Sequence, residues 1–247
     1  MSPAASRTAS GAMLKSSKTA SLARKKIRIS FKKLLKRFGR LGWWPAETRD
    51  EVITGAILTQ NTNWSNVEKA LSNLRNSDYL NLKKLSKINQ KRLAELIRPS
   101  GFYNQKARRL VAFSNYVYEN HGSLEDFFRK DALHLREELL SLNGIGMETA
   151  DSILLYAADK PIFVIDAYTK RIISRMLGLA SEPGYLELQS FMSSAIKSNL
   201  EIYKESHAQF VQLAKENCRK KPICASCPLL NLCEYGKNPR TPKTVSK

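Results

Sequence analysis

Leu139-Leu140-Ser141-Leu142-Asn143-Gly144-Ile145-Gly146-Met147-Glu148-Thr149-Ala150 is the stretch that decides how this chain is read. Leu139 and Leu140 close one helix. Asn143-Gly144-Ile145-Gly146 reads as a tight hairpin, because glycine enters positive φ without strain and lets another backbone approach closely. Residues 149–158 read as a second helix, with Ala150, Ile153, Leu154 and Ala157 on one face. A glycine hairpin that opens a helix turns amide N–H groups outward, and the helix dipole favours an anion there. The competing reading is a Gly-x-Gly turn inside an ordinary helical core.

Charge separates the two. Lys and Arg number 41 against 22 Asp and Glu, a net charge of +19. Such an excess favours a polyanion, because each neutralised phosphate releases counterions. Residues 1–27 hold six positive and no negative charges, which leaves +13 on the remainder, so the body itself is basic. Nucleic acid is the partner this implies. No run of 18 apolar residues occurs, so no membrane partner is expected. The four cysteines fall together between Cys218 and Cys233, which suggests a metal site in a reducing compartment rather than a disulfide framework.

Working outward from the hairpin, the fold class reads as all-α. Residues 27–38 form a basic amphipathic stretch, with Ile29, Phe31, Leu34, Leu35 and Phe38 among Lys32, Lys33, Lys36 and Arg37. Helices follow over 51–60, from a capping pattern at Ser65-Asn66-Val67-Glu68, then over 82–97, 102–118, 124–128 and 133–140. Pro161 stops the second hairpin helix, and 162–165 is short and extended before Asp166. Residues 168–177, 185–200 and 203–217 are helical again, with no period-two alternation and no internal repeat. Residues 1–27, rich in Ser, Ala, Thr and Lys, read as a disordered basic tail or a transit-peptide mimic. Residues 236–247 read as a flexible tail. Of the adjacent Trp43 and Trp44, at least one is expected near a surface or pocket, where an indole face stacks on a base.

Leu-x-Gly-Ile-Gly-x-x-Thr-Ala at 142–150, with Asp166 beyond it and cysteines at the end, resembles the endonuclease III-like helix-hairpin-helix DNA glycosylases. The resemblance covers nearly all of the chain between the two tails. It implies a helical domain of six helices over 48–160, and a second domain built from 28–47 and 161–235 that carries a cluster loop. It places the active site in the cleft between them. It also implies base excision repair: a damaged base is flipped out of duplex DNA and its glycosidic bond is hydrolysed. A monomer is expected, in the cytoplasm or nucleoid, or in the nucleus or mitochondrion of a eukaryote.

The resemblance assigns the residues. Asp166, eighteen positions after Glu148, falls where the relatives hold a catalytic carboxylate. A carboxylate near the anomeric carbon stabilises the positive charge that builds as the base leaves; an Asp ahead of a helix is also an ordinary N-cap. Glu148 stands where the bifunctional branch carries the lysine that forms a Schiff base, and a carboxylate forms no imine. With Trp43, Trp44 and the stretch Arg98 to Ala107, Glu148 resembles the 3-methyladenine glycosylase branch, and these three residues are the expected base pocket. Gln60 is expected to fill the gap left by the flipped base. Phe102 is expected to wedge the opposite strand, or else to be a buried turn residue. Gly144, Ile145, Gly146 and Thr149, with Arg219, Lys220 and Lys221, are expected at phosphates.

Cys218-x5-Cys224-x2-Cys227-x5-Cys233 fits either a tetrahedral zinc or a [4Fe–4S] cluster by spacing alone. The resemblance implies the cluster, although the first loop here is one residue shorter than in the relatives. Three alternatives stay open: a bifunctional glycosylase and AP lyase for pyrimidines, a mismatch thymine or uracil glycosylase, and a non-catalytic DNA-binding protein.

Overall fold

A computed structural model describes residues 17–42 and 44–238. Helix α1 (Ser17–Phe38) begins well inside the stretch expected to be disordered. That expectation is corrected for residues 17–27. Ala20, Ala23, Ile27 and Leu34 are buried at helical spacing, together with Ser30. Alanines so placed make a packing face that composition, dominated by Ser and Lys, conceals. The rest of the expected tail, residues 1–16, lies outside the described residues, as do residues 239–247.

The chain divides into two compact units, Trp44–Ile162 and the joined segments Met1–Trp43 and Phe163–Lys247. The first unit is wound around α2 (Arg49–Leu58), where every residue from Glu51 to Leu58 is buried. Thr48 caps it, accepting from the Glu51 amide. Next come α3 (Trp64–Asn76), α4 (Leu82–Leu85), α5 (Gln90–Leu96), a 3₁₀ turn (Arg98–Ser100) and the long α6 (Tyr103–Asn120). They are followed by α7 (Leu124–Phe128), α8 (Ala132–Ser141) and α9 (Met147–Tyr156). Helices α3, α6 and α9 all pack on α2. Each fully buried Ile or Leu of this core contributes about 1.5–3 kcal/mol by leaving water.

Two local readings change here. The cap of α3 is Asn63, whose side chain accepts from the Asn66 amide, so the helix starts at Trp64 and not at the Ser65 pattern. The helix expected over 82–97 is two short helices, because Asn81 and Asn89 each cap a fresh start. Asparagine competes for backbone N–H groups and favours such starts over helix interiors.

The second unit adds α10 (Ala167–Leu177), α11 (Tyr185–Ala195), α12 (Leu200–Glu216), a 3₁₀ turn (Leu230–Leu232) and α13 (Glu234–Lys237). Helix α1 packs on α11 and α12, and α10 on α12 and α13. Phe163, Val164 and Ile165 are buried in an extended segment. Gln189 Nε2 donates to the Phe163 carbonyl at 2.7 Å, so this backbone is not buried unpaired. Among the described residues the chain is helical with no strand, and no helix is long and apolar enough to cross a membrane.

Candidate nucleic-acid interface and active site

The hairpin is built as the glycines require. Leu142 N–H donates to Leu139 O at 3.2 Å and Ile145 N–H to Leu142 O at 3.1 Å, closing the turn. Gly144 has φ +84°, in the left-handed region. Gly146, with φ −90° and ψ 174°, is the cap of α9, and no side chain caps that end. The two helices of the motif are pinned from behind. Arg136 on α8 grips the fully buried Asp151 on α9 through Nε to Oδ1 at 2.6 Å and Nη2 to Oδ2 at 3.1 Å. A bidentate, charge-assisted pair of this kind fixes angle as well as distance.

The expected DNA-facing residues do not all face out. Ile145 and Thr149 are buried, so Ile145 offers only its backbone to a ligand. Gln60 reaches the hairpin: its Nε2 donates to the Gly144 carbonyl and to Thr149 Oγ1, both at 2.9 Å. Arg109 on α6 donates in turn to Gln60 Oε1. Sequence reasoning missed Arg109, whose side chain lies under Gly144: a Cβ there would stand 2.2 Å from its Nε.

Phe102 is 63% exposed, which removes the buried-turn alternative. It also has a positive φ, 46°, at the start of α6. A bulky residue in that region carries strain, here spent on turning an aromatic ring outward. Beneath it, Lys106 is 1% exposed, and its ammonium donates to Leu58 O at 2.8 Å and Ser100 O at 2.7 Å. One buried cation thus ties the end of α2, just before Gln60, to the turn just before Phe102. Burial, and Arg109 nearby, push its pKa down from 10.5 to about 8.

Trp44 is half-buried in an aromatic group: its ring centroid is 5.5 Å from Trp64, edge-on, and 4.9 Å from Tyr156. Trp64 was not singled out by the sequence. Gly55 makes room for the pair, since a Cβ there would meet Trp64 at 3.3 Å and Trp44 at 3.6 Å. Trp43 lies outside the described residues. Glu148 is exposed in the first turn of α9.

In the other unit, Asp166 caps α10, accepting from the Thr169 amide at 2.6 Å. Its side chain is only 13% exposed, and Oδ2 lies 3.7 Å from Nε2 of the buried His207 on α12. Burial pushes this carboxyl up. His207 and the Thr169 hydrogen bonds outweigh that and hold it below the ordinary 3.8. Asp166 is therefore a carboxylate that is dry, charged and fixed in orientation. His207, 41 positions away, gave no sequence signal.

Cys218, Cys224, Cys227 and Cys233 line one small cavity of about 30 Å³. Arg175 Nη1 lies 3.4 Å from Cys218 Sγ and donates to the Arg219 carbonyl at 2.6 Å; Nη2 donates to Lys220 O at 3.0 Å. The Gly236 amide donates to Cys233 Sγ at 3.4 Å. Burial, with the neighbouring thiols, pushes Cys227 up to about 11 and raises Cys233. Two thiols raised in this way become thiolates only beside a strongly positive group, which is the chemistry of an iron cluster or zinc. Among the described residues no three His, Cys, Asp or Glu side chains gather on a single ion. Arg219, Lys220 and Lys221 are exposed in the first cysteine loop.

A glycine hairpin between two pinned helices, in a basic chain that is helical among the described residues, is a helix-hairpin-helix. The chain belongs to the HhH-GPD superfamily of base excision DNA repair proteins, whose family model matches residues 54–198. It is 50% identical over 205 residues to a protein of Methanocaldococcus jannaschii named as a DNA repair glycosylase, covering 82% of this chain and 93% of that one. It is 31% identical over 185 residues to endonuclease III of Thermotoga maritima, covering 74% and 82%. The structure of the H. pylori 3-methyladenine DNA glycosylase, bound to 1,N6-ethenoadenine, superimposes with a TM-score of 0.68 at 35% identity, covering 78% of this chain and 97% of that one. An endonuclease III–DNA complex matches in fold, with a TM-score of 0.74 at 22% identity over 87% and 96% of the two chains.

Proposed function

We propose that this chain is a monofunctional DNA glycosylase that removes alkylated purines, of the 3-methyladenine kind, from duplex DNA. The observation that carries the proposal is Glu148. It stands exposed at the start of α9, where the resembling lyases hold an amine, and a carboxylate has nothing with which to form a Schiff base. Water is then the nucleophile. Its oxygen bonds to the anomeric carbon, the base leaves with the bonding pair, and the proton lost from water passes to Asp166 or to solvent. Asp166, held ionised by His207 and Thr169, stabilises the positive charge on the sugar. Trp44, with Trp64 and Tyr156 behind it, is an aromatic wall on which a cationic purine stacks, and Glu148 favours the same charge. The H. pylori relative, solved with a modified adenine, supports a purine substrate.

Gln60 and Phe102 take the gap-filling and wedging parts, and Gly144–Gly146 and Arg219–Lys221 the phosphate contacts. The four cysteines hold a [4Fe–4S] cluster in this reading. All four line one cavity, as either a cluster or a zinc ion needs, and the resemblance to the cluster-bearing relatives favours the cluster. The cluster is structural, bracing the basic loop, since glycosidic hydrolysis moves no electrons. The chain works as a monomer, in whichever compartment holds the DNA.

Duplexes with single lesions test the reading. Alkylated-purine duplexes are expected to break only after hot alkali, and borohydride is expected to trap no protein–DNA adduct. Nicking without alkali, together with a trapped adduct, would replace it with the bifunctional reading that the Thermotoga maritima relative favours.

A further inference from the structure

Helix α1 carries nine Lys and Arg among its 22 residues and no acid. Its buried face packs on α11 and α12. At 3.6 residues per turn, Lys18, Lys25, Lys32 and Lys36 fall within about 40° of one another, on the side opposite buried Ile27. All four are exposed. At about 1.5 Å per residue they form a row about 27 Å long. The other cations of the helix are partly engaged inside the unit. Lys26 pairs with Glu234, Arg37 with Glu216 at 3.7 Å, and Arg28 donates to the Ala195 carbonyl at 3.3 Å. The row has no such acid partner of its own on α1, and Lys32 and Lys36 repel each other at i,i+4 spacing. A solvated helix face ordinarily mixes signs; this one bears one sign along its whole length.

We propose that the Lys18–Lys25–Lys32–Lys36 row is a second DNA-binding surface, which lies along the phosphate backbone of duplex DNA irrespective of sequence or damage. The inference rests on the family's action on DNA and not on which base is removed. Duplex DNA presents one charge per about 1.7 Å of its axis, a linear array that a straight row of ammonium groups follows. A membrane surface is the other common partner of a basic amphipathic helix, but that mode inserts the apolar face into lipid. Here the apolar face is already occupied by α11 and α12. Leu22 is the large apolar side chain that α1 leaves exposed.

The test uses the full chain and undamaged duplex, with affinity measured against salt concentration. Each phosphate contact contributes about 0.9 to the slope of log K against log salt. Replacing all four lysines by Gln is expected to reduce the slope by about 3.6, and Lys25→Gln with Lys32→Gln by about 1.8. If the fourfold variant does not fold, the double variant decides. A charge-matched control, Gln at the exposed Lys69, Lys83, Lys87 and Lys91 of the other unit, is expected to leave the slope unchanged. An unchanged slope in the row variants overturns the proposal, as does an equal loss in the control, which would mean a diffuse field. Loss of binding to vesicles of anionic lipid, with the DNA slope intact, would assign the row to a membrane instead.

Discussion

Gly144→Ala and Gly146→Ala, two residues apart in one hairpin, are expected to fail in opposite ways. At Gly144 the backbone is left-handed, which costs an L-residue roughly 1–2 kcal/mol. The new Cβ would stand 2.2 Å from Arg109 Nε, 2.6 Å from Cδ and 2.9 Å from Cγ, so the whole side chain must leave. Its hydrogen bond to Gln60 goes with it, at a further cost of about 1.5 kcal/mol. The sum is about 3 kcal/mol, a fall of about 6–12 °C in Tm for a chain of this size. At Gly146 the backbone is extended, and an added Cβ meets nothing within 4 Å. Alanine there trades a slightly poorer cap against a stiffer unfolded chain, and Tm is expected to move by no more than about 2 °C. The open space at Gly146 is where a phosphate approaches in the proposed function, so Gly146→Ala weakens duplex binding while leaving stability alone. Thermal melts and a fluorescence binding assay on both variants read the two effects separately. A Gly144→Ala protein as stable as the parent would refute the seating of Arg109 under the hairpin. A Gly146→Ala protein that binds duplex normally would refute the phosphate approach.

Asp166→Asn is expected to abolish base release at saturating duplex, with stability within about 0.5 kcal/mol because Asn caps helices as well as Asp. Since the folded carboxyl lies below its ordinary 3.8, Asp166 adds stability that is complete above the unfolded value and is lost only as pH falls through the lower folded one. Asp166 therefore supplies no loss of activity between pH 5 and 8, and a pH–rate profile that the parent and Asp166→Glu share in that window checks it. Lys106→Met leaves the carbonyls of Leu58 and Ser100 without their ammonium and is expected to cost about 3 kcal/mol near neutral pH in a denaturant titration. Because folding lowers the Lys106 pKa from 10.5 to about 8, its charged form is disfavoured in the fold, and the parent gains stability relative to Lys106→Met as pH rises from 8 to 10.5. A difference that stays flat over that range would show that the two carbonyls fully compensate the burial.

The sequence by itself determined what short-range periodicity and spacing can encode. Apolar residues at three- and four-residue intervals marked most of the helices. Two glycines at the foot of a helix marked the hairpin, and four cysteines within sixteen residues marked a metal-type cluster loop. These features are local, because a helix face or a glycine turn is set by residues a few positions apart. The tertiary structure decided which side chains meet across long separations. Arg109 lies under Gly144 and holds Gln60, Gln60 takes up the Thr149 hydroxyl, and Lys106 joins Leu58 to Ser100. His207 stands against Asp166, and Ala20 and Ala23 find a partner surface that makes a helix of an apparent tail. The alanines do sit at helical spacing, masked by a Ser- and Lys-rich composition; the other contacts have neither a period nor a motif. Each exists because packing brings two distant segments together, and polar groups buried between them are costly unless most of them find partners.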